Sequence, residues 1–317
     1  MNWYPSKLFR FLVLCSFVVL FSTNGSIVYA QQFISRGIVL TAPFISEGEP
    51  GFLSSHSFMA EVGVGNPSEV QSQAWNGRFS LGLNIYSFTF SDHIVATLSN
   101  ELTATRTNSV LFNPNTSRWE EFLGYRKRIG LHSFTLGYTH FCKHEIDNFD
   151  PPFSTSQTID SLQKRIVIFG GITGSFFSQM MFSGNSTLQY YVKSHYNVVR
   201  EDYRNTRGLE GVSLARLRGM LEVGSRLNLE ASNDMLLYVK CWGNIGFVEA
   251  DAKDNKFSQS ELLLNGRAEL GLIGKGRLNN FEVFLASEFI ADDLSFGAFT
   301  RGLVPSLGIR IRNPLYF

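Results

Sequence analysis

The stretch Gly302-Leu303-Val304-Pro305-Ser306-Leu307-Gly308-Ile309-Arg310-Ile311-Arg312-Asn313-Pro314-Leu315-Tyr316-Phe317 carries the clearest architectural signal in the chain. Leu307, Ile309, Ile311 and Leu315 fall on one parity, while Gly302, Ser306, Arg310 and Arg312 fall on the other. Successive side chains of a strand point to opposite faces, so one face suits lipid and the other a polar lumen. Asn313 and Pro314 interrupt the pattern, and an aromatic residue, Phe317, ends it. Many bacterial outer-membrane β-barrels finish in this way. Phe317 is then the handle by which the barrel-assembly machinery takes the last strand.

The same alternation runs upstream. Phe79, Leu81, Leu83 and Ile85 share a parity against Arg78, Ser80, Gly82 and Asn84. Leu217, Gly219, Leu221, Val223 and Leu227 alternate with Arg216, Arg218, Glu222 and Arg226; Leu262, Leu264, Ala268, Leu270 and Leu272 alternate with Glu261, Asn265, Arg267 and Glu269. About twelve such strands are expected, near 53–64, 77–89, 93–104, 117–129, 131–142, 163–177, 186–198, 213–229, 235–249, 260–273, 279–290 and 302–317, with ten and fourteen as neighbouring counts. The sixth, Ile166 to Phe177, is apolar on both faces. Links near 91–92, 130, 179–185, 230–234 and 274–278 are short. Those near 65–76, 105–116, 143–162, 199–212, 250–259 and 291–301 are longer and polar. Short periplasmic turns alternating with long external loops are the pattern of an all-β, single transmembrane antiparallel barrel. A soluble sandwich has no need of regular strands of ten or so residues or of alternating loop lengths.

The N-terminus points to the same compartment. Lys7 and Arg10 precede an apolar run from Phe11 to Phe21, and Val28-Tyr29-Ala30 offers an A-x-A-like cleavage site. Residues 1–30 therefore read as a signal peptide, 31–52 as a periplasmic segment and 53–317 as the barrel. Cys15 lies inside the apolar run, with Leu14 where a lipoprotein site needs a small residue, so it reads as an ordinary signal residue. After Ala30 no apolar stretch reaches the roughly 20 residues a spanning helix needs. A formal net charge of +1 gives no electrostatic case for nucleic acid. Cys142 and Cys241 are too few for a disulfide framework.

With the apolar parity toward lipid, the inward set is rich in both signs of charge: Arg126, Arg128, Lys193, Arg216, Arg218, Arg226, Arg267, Arg310 and Arg312 against Glu61, Glu120, Glu222, Glu269, Glu282 and Glu288. Such groups must pair or meet water. Two readings follow. A hydrated lumen whose arginines favour anionic or small hydrophilic solutes would make the protein a passive channel, with no cofactor. A ladder of mutual neutralisation, suggested by Glu282 and Glu288 beside Arg310 and Arg312, would brace an occluded barrel.

A second cluster runs through Gly137-Tyr138-Thr139-His140-Phe141-Cys142-Lys143-His144-Glu145. His140, Cys142 and His144 share the parity of Phe134, Leu136 and Tyr138, which places them on the lipid-facing side near the external rim. An imidazole beside a thiol can draw off its proton and create a reactive thiolate. Two histidines and a cysteine at alternate positions could also take a metal ion, and a polar strand end needs neither role. The stretch resembles the His-x-Ser signature of outer-membrane phospholipase A and of some lipid A deacylases. The resemblance implies hydrolysis of outer-membrane lipid acyl esters, with His140 as base and Cys142 in the nucleophile's place. Cysteine stands where that signature has serine, and the next strand offers no orienting asparagine or glutamate.

Gly170-Gly171-x-x-Gly174 lacks the lysine and helix of a phosphate loop, so close-packed strand glycines are expected. Trp119, Tyr190, Tyr196, Trp242 and Tyr316 are expected at the membrane interfaces.

Overall fold

A computed structural model describes residues 50–65, 75–104, 116–145, 164–181, 186–206, 209–214, 217–249, 261–290 and 302–313. Residues 1–49, expected to hold a signal peptide and a periplasmic segment, and residues 314–317, which include Tyr316 and Phe317, lie outside them.

The strands are β1 (Gly51–Gly65), β2 (Trp75–Ser87), β3 (Asp92–Ala104), β4 (Thr116–Ile129), β5 (His132–Glu145), β6 (Lys164–Met181), β7 (Thr187–Thr206), β8 (Leu209–Leu214), β9 (Leu217–Ser232), β10 (Met235–Val248), β11 (Glu261–Gly274), β12 (Asn280–Ile290) and β13 (Gly302–Arg312). Each pairs antiparallel with its neighbours, β7 pairs with β9, and β13 returns to β1 to close the sheet. The short β8 pairs with the far end of β7 and adds no stave. The result is one closed barrel of twelve antiparallel staves. Closure leaves no sheet edge, and every stave has 11 to 20 residues, enough to cross a bilayer when tilted.

The stretch near 199–212, expected as a loop, is largely a hairpin extension, in which Glu201 pairs with Leu214 and Thr206 with Leu209. Periodicity of apolar residues cannot signal it, because a ladder beyond the lipid satisfies its backbone without an apolar face.

Links between described strands are tight at one end of the barrel. Gly130 and Leu131 join β4 to β5, Asn233 and Asp234 join β9 to β10, and Phe88 to Ser91 join β2 to β3. Gly130 has φ +60°, which a side chain would resist in so short a turn. Arg128 serves this turn too, its Nε donating to the Gly130 carbonyl at 3.0 Å. We refer to this as the turn end, and to the opposite end as the loop end.

The outer wall carries the exposed apolar set, including Val62, Leu123, Leu136, Leu264, Leu285 and Ile309. Inside, the wall is mixed: charged and polar residues are interspersed with small apolar clusters, among them a lobe of Phe141, Val167, Phe169 and Leu217, to which β6 contributes Val167 and Phe169, so that β6 is apolar on both faces. Trp242 belongs inside with Phe177 and Tyr191, correcting its expected interfacial position; even-numbered residues at this height of β10 point inward. Trp119 and Tyr196 do lie on the outer wall.

Gly124 and Gly137 face each other across β4 and β5, with the Phe122 ring lying over both. A Cβ on Gly137 would sit 2.3 Å from the Leu123 carbonyl oxygen and 2.5 Å from the Gly124 Cα. Backbone cannot yield as a flexible side chain can. Gly137→Val is therefore expected to destabilise the refolded barrel by about 1–3 kcal/mol in urea unfolding. Gly174→Ala, whose Cβ meets nothing nearer than 3.9 Å, should leave the midpoint unchanged.

Candidate functional site

Two faces of the barrel hold chemistry. Inside, a row of directly opposed residues on successive staves runs Glu282 (β12), Arg310 (β13), Glu61 (β1), Arg78 (β2), Glu101 (β3), Arg118 (β4) and Lys143 (β5). Charge alternates along it as far as Arg118. Directly opposed residues of unlike charge stabilise a sheet, so register alone assembles this ladder.

Side chains then lace it together. Arg310 reaches three carboxylates: Glu61 at 2.7 Å, Glu282 at 2.7 Å and Glu269 at 3.0 Å. Arg267 meets Glu61 at 3.1 Å, Glu269 at 2.8 Å and Glu288 at 3.6 Å. Arg226 contacts Glu282 at 2.7 Å and stacks over the Tyr238 ring at 4.1 Å, and Arg312 also binds Glu282. Arg118 meets Glu101 at 2.7 Å. Several contacts join staves three apart: Arg226 to Glu282, Arg267 to Glu61, and Lys193 to Glu120 at 2.9 Å. They cross the lumen as chords. Arg226, Glu282 and Glu120 are wholly buried.

The expected inward residues thus separate into groups. Arg226, Arg267, Glu282, Glu288, Arg310 and Arg312 join this network, Glu288 through Arg267 on β11. Arg126 faces inward near the turn end, opposite His93. Arg218 departs from its expected place. It is the extra residue of a bulge where Phe247 pairs with Gly219 and Val248 with Leu217, and the bulge turns Leu217 into the apolar lobe. Arg218 instead lies at the loop-end rim, 5.7 Å over the Tyr196 ring, binding Glu249 together with Arg200. Glu249 is partly buried, which opposes ionisation, yet hydrogen bonds and charge from Arg200 and Arg218 hold its carboxyl below the usual range. The Arg216 side chain lies outside the described residues.

The outer wall presents the second constellation, near the loop end of β3 to β5. His140 lies directly opposite Glu121 on β4 and Gly170 on β6. Cys142 lies opposite Trp119, whose own partner on the far side is Asn100. His144 lies opposite Ser117. Asn100 donates to the Ser117 hydroxyl at 2.9 Å and to the Arg118 carbonyl at 3.2 Å. The Cys142 sulfur hydrogen-bonds the Trp119 backbone, and its residue is 9% exposed. Across the strand to β6, a Cβ on Gly170 would lie 2.1 Å from the Tyr138 hydroxyl, so that hydroxyl occupies the space beside His140.

A carboxylate, an imidazole and a thiol therefore share one face of two adjacent strands. Directly opposed side chains have Cβ atoms about 5 Å apart, within reach for Glu121 to hold the His140 ring. Glu121, Asn100 and Ser117 escape a reading of β5 alone, because they come from preceding strands and only register brings them alongside. Their signal in the sequence is parity: Glu121 shares the outward set of Trp119, Leu123 and Tyr125. Among the described residues, no group of three or more histidine, cysteine or acidic residues is arranged to hold a metal ion.

A closed sheet with an apolar outer wall and a charged, paired interior defines an outer-membrane-type β-barrel protein. No protein-family model matches the sequence, and no curated protein sequence matches it. Solved structures similar to it include the translocator domain of autotransporter NalP from Neisseria meningitidis, at 12% identity and a TM-score of 0.43, covering 85% of this chain and 90% of that one. LpxR from Salmonella typhimurium is similar at 7% identity and 0.42, covering 82% and 100%; outer membrane phospholipase A from Escherichia coli at 13% and 0.37, covering 83% and 98%. At such identities the likeness concerns fold alone.

Proposed function

We propose that this protein is an outer-membrane lipid acyl hydrolase that works on its outer wall, with Cys142 as nucleophile, His140 as general base and Glu121 orienting the imidazole. The observation that carries this reading is the register that sets Glu121 opposite His140 on the lipid-facing side. An ionisable carboxylate on that face is costly toward mid-bilayer and cheap only near the interface, so its placement opposite an imidazole calls for a role. His140 takes the thiol proton, and the thiolate attacks the ester carbonyl. The acyl group passes to sulfur as a thioester while the lipid alcohol leaves with the proton. Water then attacks the thioester, releasing the fatty acid and restoring the thiol. A strand on the outer wall meets lipid without extracting it into water. The test is lipid mass spectrometry after reconstitution with phospholipid or lipid A. Acyl release by the wild type, abolished in both His140→Ala and Cys142→Ala, supports the reading; no release across lipids and divalent-ion conditions removes it.

The rival reading is passive passage of small hydrophilic or anionic solutes, motivated by the inward arginines. Chords of paired charge at mid-height favour a closed lumen instead, because an ion crossing there must break contacts made between buried partners. Planar-bilayer recording of the purified barrel is expected to give no discrete conductance. Stable single-channel steps would restore the channel.

A further inference from the structure

The inward parity of β1 is odd, through Ser57, Met59 and Glu61, and that of β2 is even, through Arg78, Ser80 and Asn84. Both phases break at the turn end. The β1–β2 register shifts between Phe52 and Ser55, and the β2–β3 register shifts between Asn84 and Tyr86. Leu53, inside the first shift, has φ +50° and is the only non-glycine residue with positive φ among the described residues. Leucine does not favour the left-handed region, so its surroundings impose it. The result is a chain of three side chains. Ser54, which alternation would send outward with His56, turns to Ser87, with 2.5 Å between the two hydroxyl oxygens. Ser87, odd-numbered, faces inward directly opposite His93 and lies 2.7 Å from its Nδ1. The ring also hydrogen-bonds the Phe90 backbone in the β2–β3 turn. A neutral histidine that gives its N–H to a backbone carbonyl has its other nitrogen left to accept a proton. Ser87 and His93 are each 1% exposed, whereas Ser54 is half-buried beside the exposed Phe52 and Leu53. Bulges and strained residues concentrate where a side chain has to be re-aimed for chemistry, and two bulges and one strained residue converge here.

We propose that Ser54 is a second reactive centre, a nucleophilic serine at the turn-end mouth that takes the acyl group of an amphiphilic ester. The Ser54 proton passes to the Ser87 oxygen as the Ser87 proton passes to His93 Nδ1, and the Ser54 oxygen attacks the ester carbonyl. The relay returns a proton to the leaving alcohol, and the acyl group stays on Ser54 as an ester. Water then attacks that ester through the same relay, releasing the acid and restoring the hydroxyl. The charges that bear on the ring are Arg126, directly opposite it on β4, with Arg128 and Asp92. Two cations against one anion favour the oxyanion formed when the carbonyl is attacked. The acyl chain has an aromatic seat on the outer side of the same rim. Phe52 is 71% exposed and directly opposite Tyr86, whose ring meets Phe88 edge-on at 5.1 Å. That seat selects esters with a long apolar chain over small polar ones. The site lies at the opposite end of the barrel from Cys142 and shares no residue with the outer-wall constellation, so either stands without the other.

A fluorophosphonate probe, which reacts covalently with activated serine hydroxyls, tests this on the full refolded barrel. Peptide mass spectrometry places the label, and heat-modifiable gel migration reports folding of each variant. The expected result is a single label, on Ser54. Its rate should fall about 100-fold in His93→Gln, the lower end of what a positioned base supplies, and should fall in Ser87→Ala as well. Ser57→Ala, inward on the same strand, should label like the wild type. Excess p-nitrophenyl octanoate should protect Ser54 from the probe better than p-nitrophenyl acetate does; equal protection removes the aromatic seat from the proposal. An unlabelled Ser54 in the folded wild type overturns the proposal, and a lower urea midpoint of His93→Gln would then mean that the three residues only lock the mouth. Labelling as fast in His93→Gln as in the wild type overturns it too, because Ser54 is then an ordinary exposed hydroxyl. If His93→Gln does not fold, Ser87→Ala decides in the same way.

Discussion

Replacing Arg310 with methionine is expected to cost the barrel more stability than any other single substitution in the lumen. Its guanidinium lies between Glu61, Glu269 and Glu282, all of them buried, and also reaches the Tyr238 hydroxyl at 3.5 Å. Methionine fills much of the volume but leaves three carboxylates sharing fewer cations. Removing one partner of a buried ion pair typically costs about 3–5 kcal/mol, because the charge left behind keeps its desolvation penalty. The measurement is the urea midpoint of the refolded barrel, with heat-modifiable migration as a second readout. Arg310→Lys should also fail to restore stability, since one ammonium cannot serve three carboxylates with the fork of a guanidinium. Adding Glu61→Gln to Arg310→Met should recover part of the loss by removing one orphaned charge. An Arg310→Met barrel as stable as the wild type would mean that the ladder is solvated and contributes little.

The second large effect concerns the outer wall. If Cys142 and His140 act as proposed, His140→Ala should lower acyl release by about 10²–10⁴-fold, the usual worth of a positioned base. Cys142→Ala should remove covalent turnover altogether. Glu121→Gln is the more discriminating variant, because it keeps the size and hydrogen-bonding reach of the side chain while losing its charge. It should lower kcat with little change in KM and shift the pH profile of kcat, as expected of a group that acts through His140 rather than on the lipid. Glu121→Ala should exceed it, and Asn100→Ala should act through the Ser117 and Arg118 contacts it breaks. Equal activity of Glu121→Gln and the wild type over the full pH range would leave His140 without its orienting carboxylate.

How far the chain could be read without coordinates depends on the range of the interaction concerned. Alternation along Phe79 to Ile85 or Leu307 to Ile311 is a property of neighbours in sequence, because the pleat sends side chains to opposite faces whatever the strand pairs with. Barrel class, stave number and the identity of the inward charges follow from it. The same rule misplaces Arg218, where one extra residue in a bulge reverses the phase; Trp242 follows its inward parity, and the expectation that failed there was that an aromatic residue marks an interface. It also passes over β8, whose pairing lies beyond any apolar face.

Pairing belongs to a longer range. Arg310 and Glu61 are 249 residues apart, and Arg267 and Glu61 are 206 apart. No local pattern says that β13 closes onto β1 at the register that opposes these two, or that Glu288 meets Arg267 while Glu282 meets Arg310. The outer-wall constellation has the same character: His140 and Cys142 are two apart and legible on one strand, whereas Glu121 and Asn100 join them only through the registers of β4 and β3. Composition and alternation were sufficient for the architecture, because each strand must hide its polar face from lipid on its own account. Closure and register supplied the partners, because a slip of a single residue would send every charge of a strand to the lipid side.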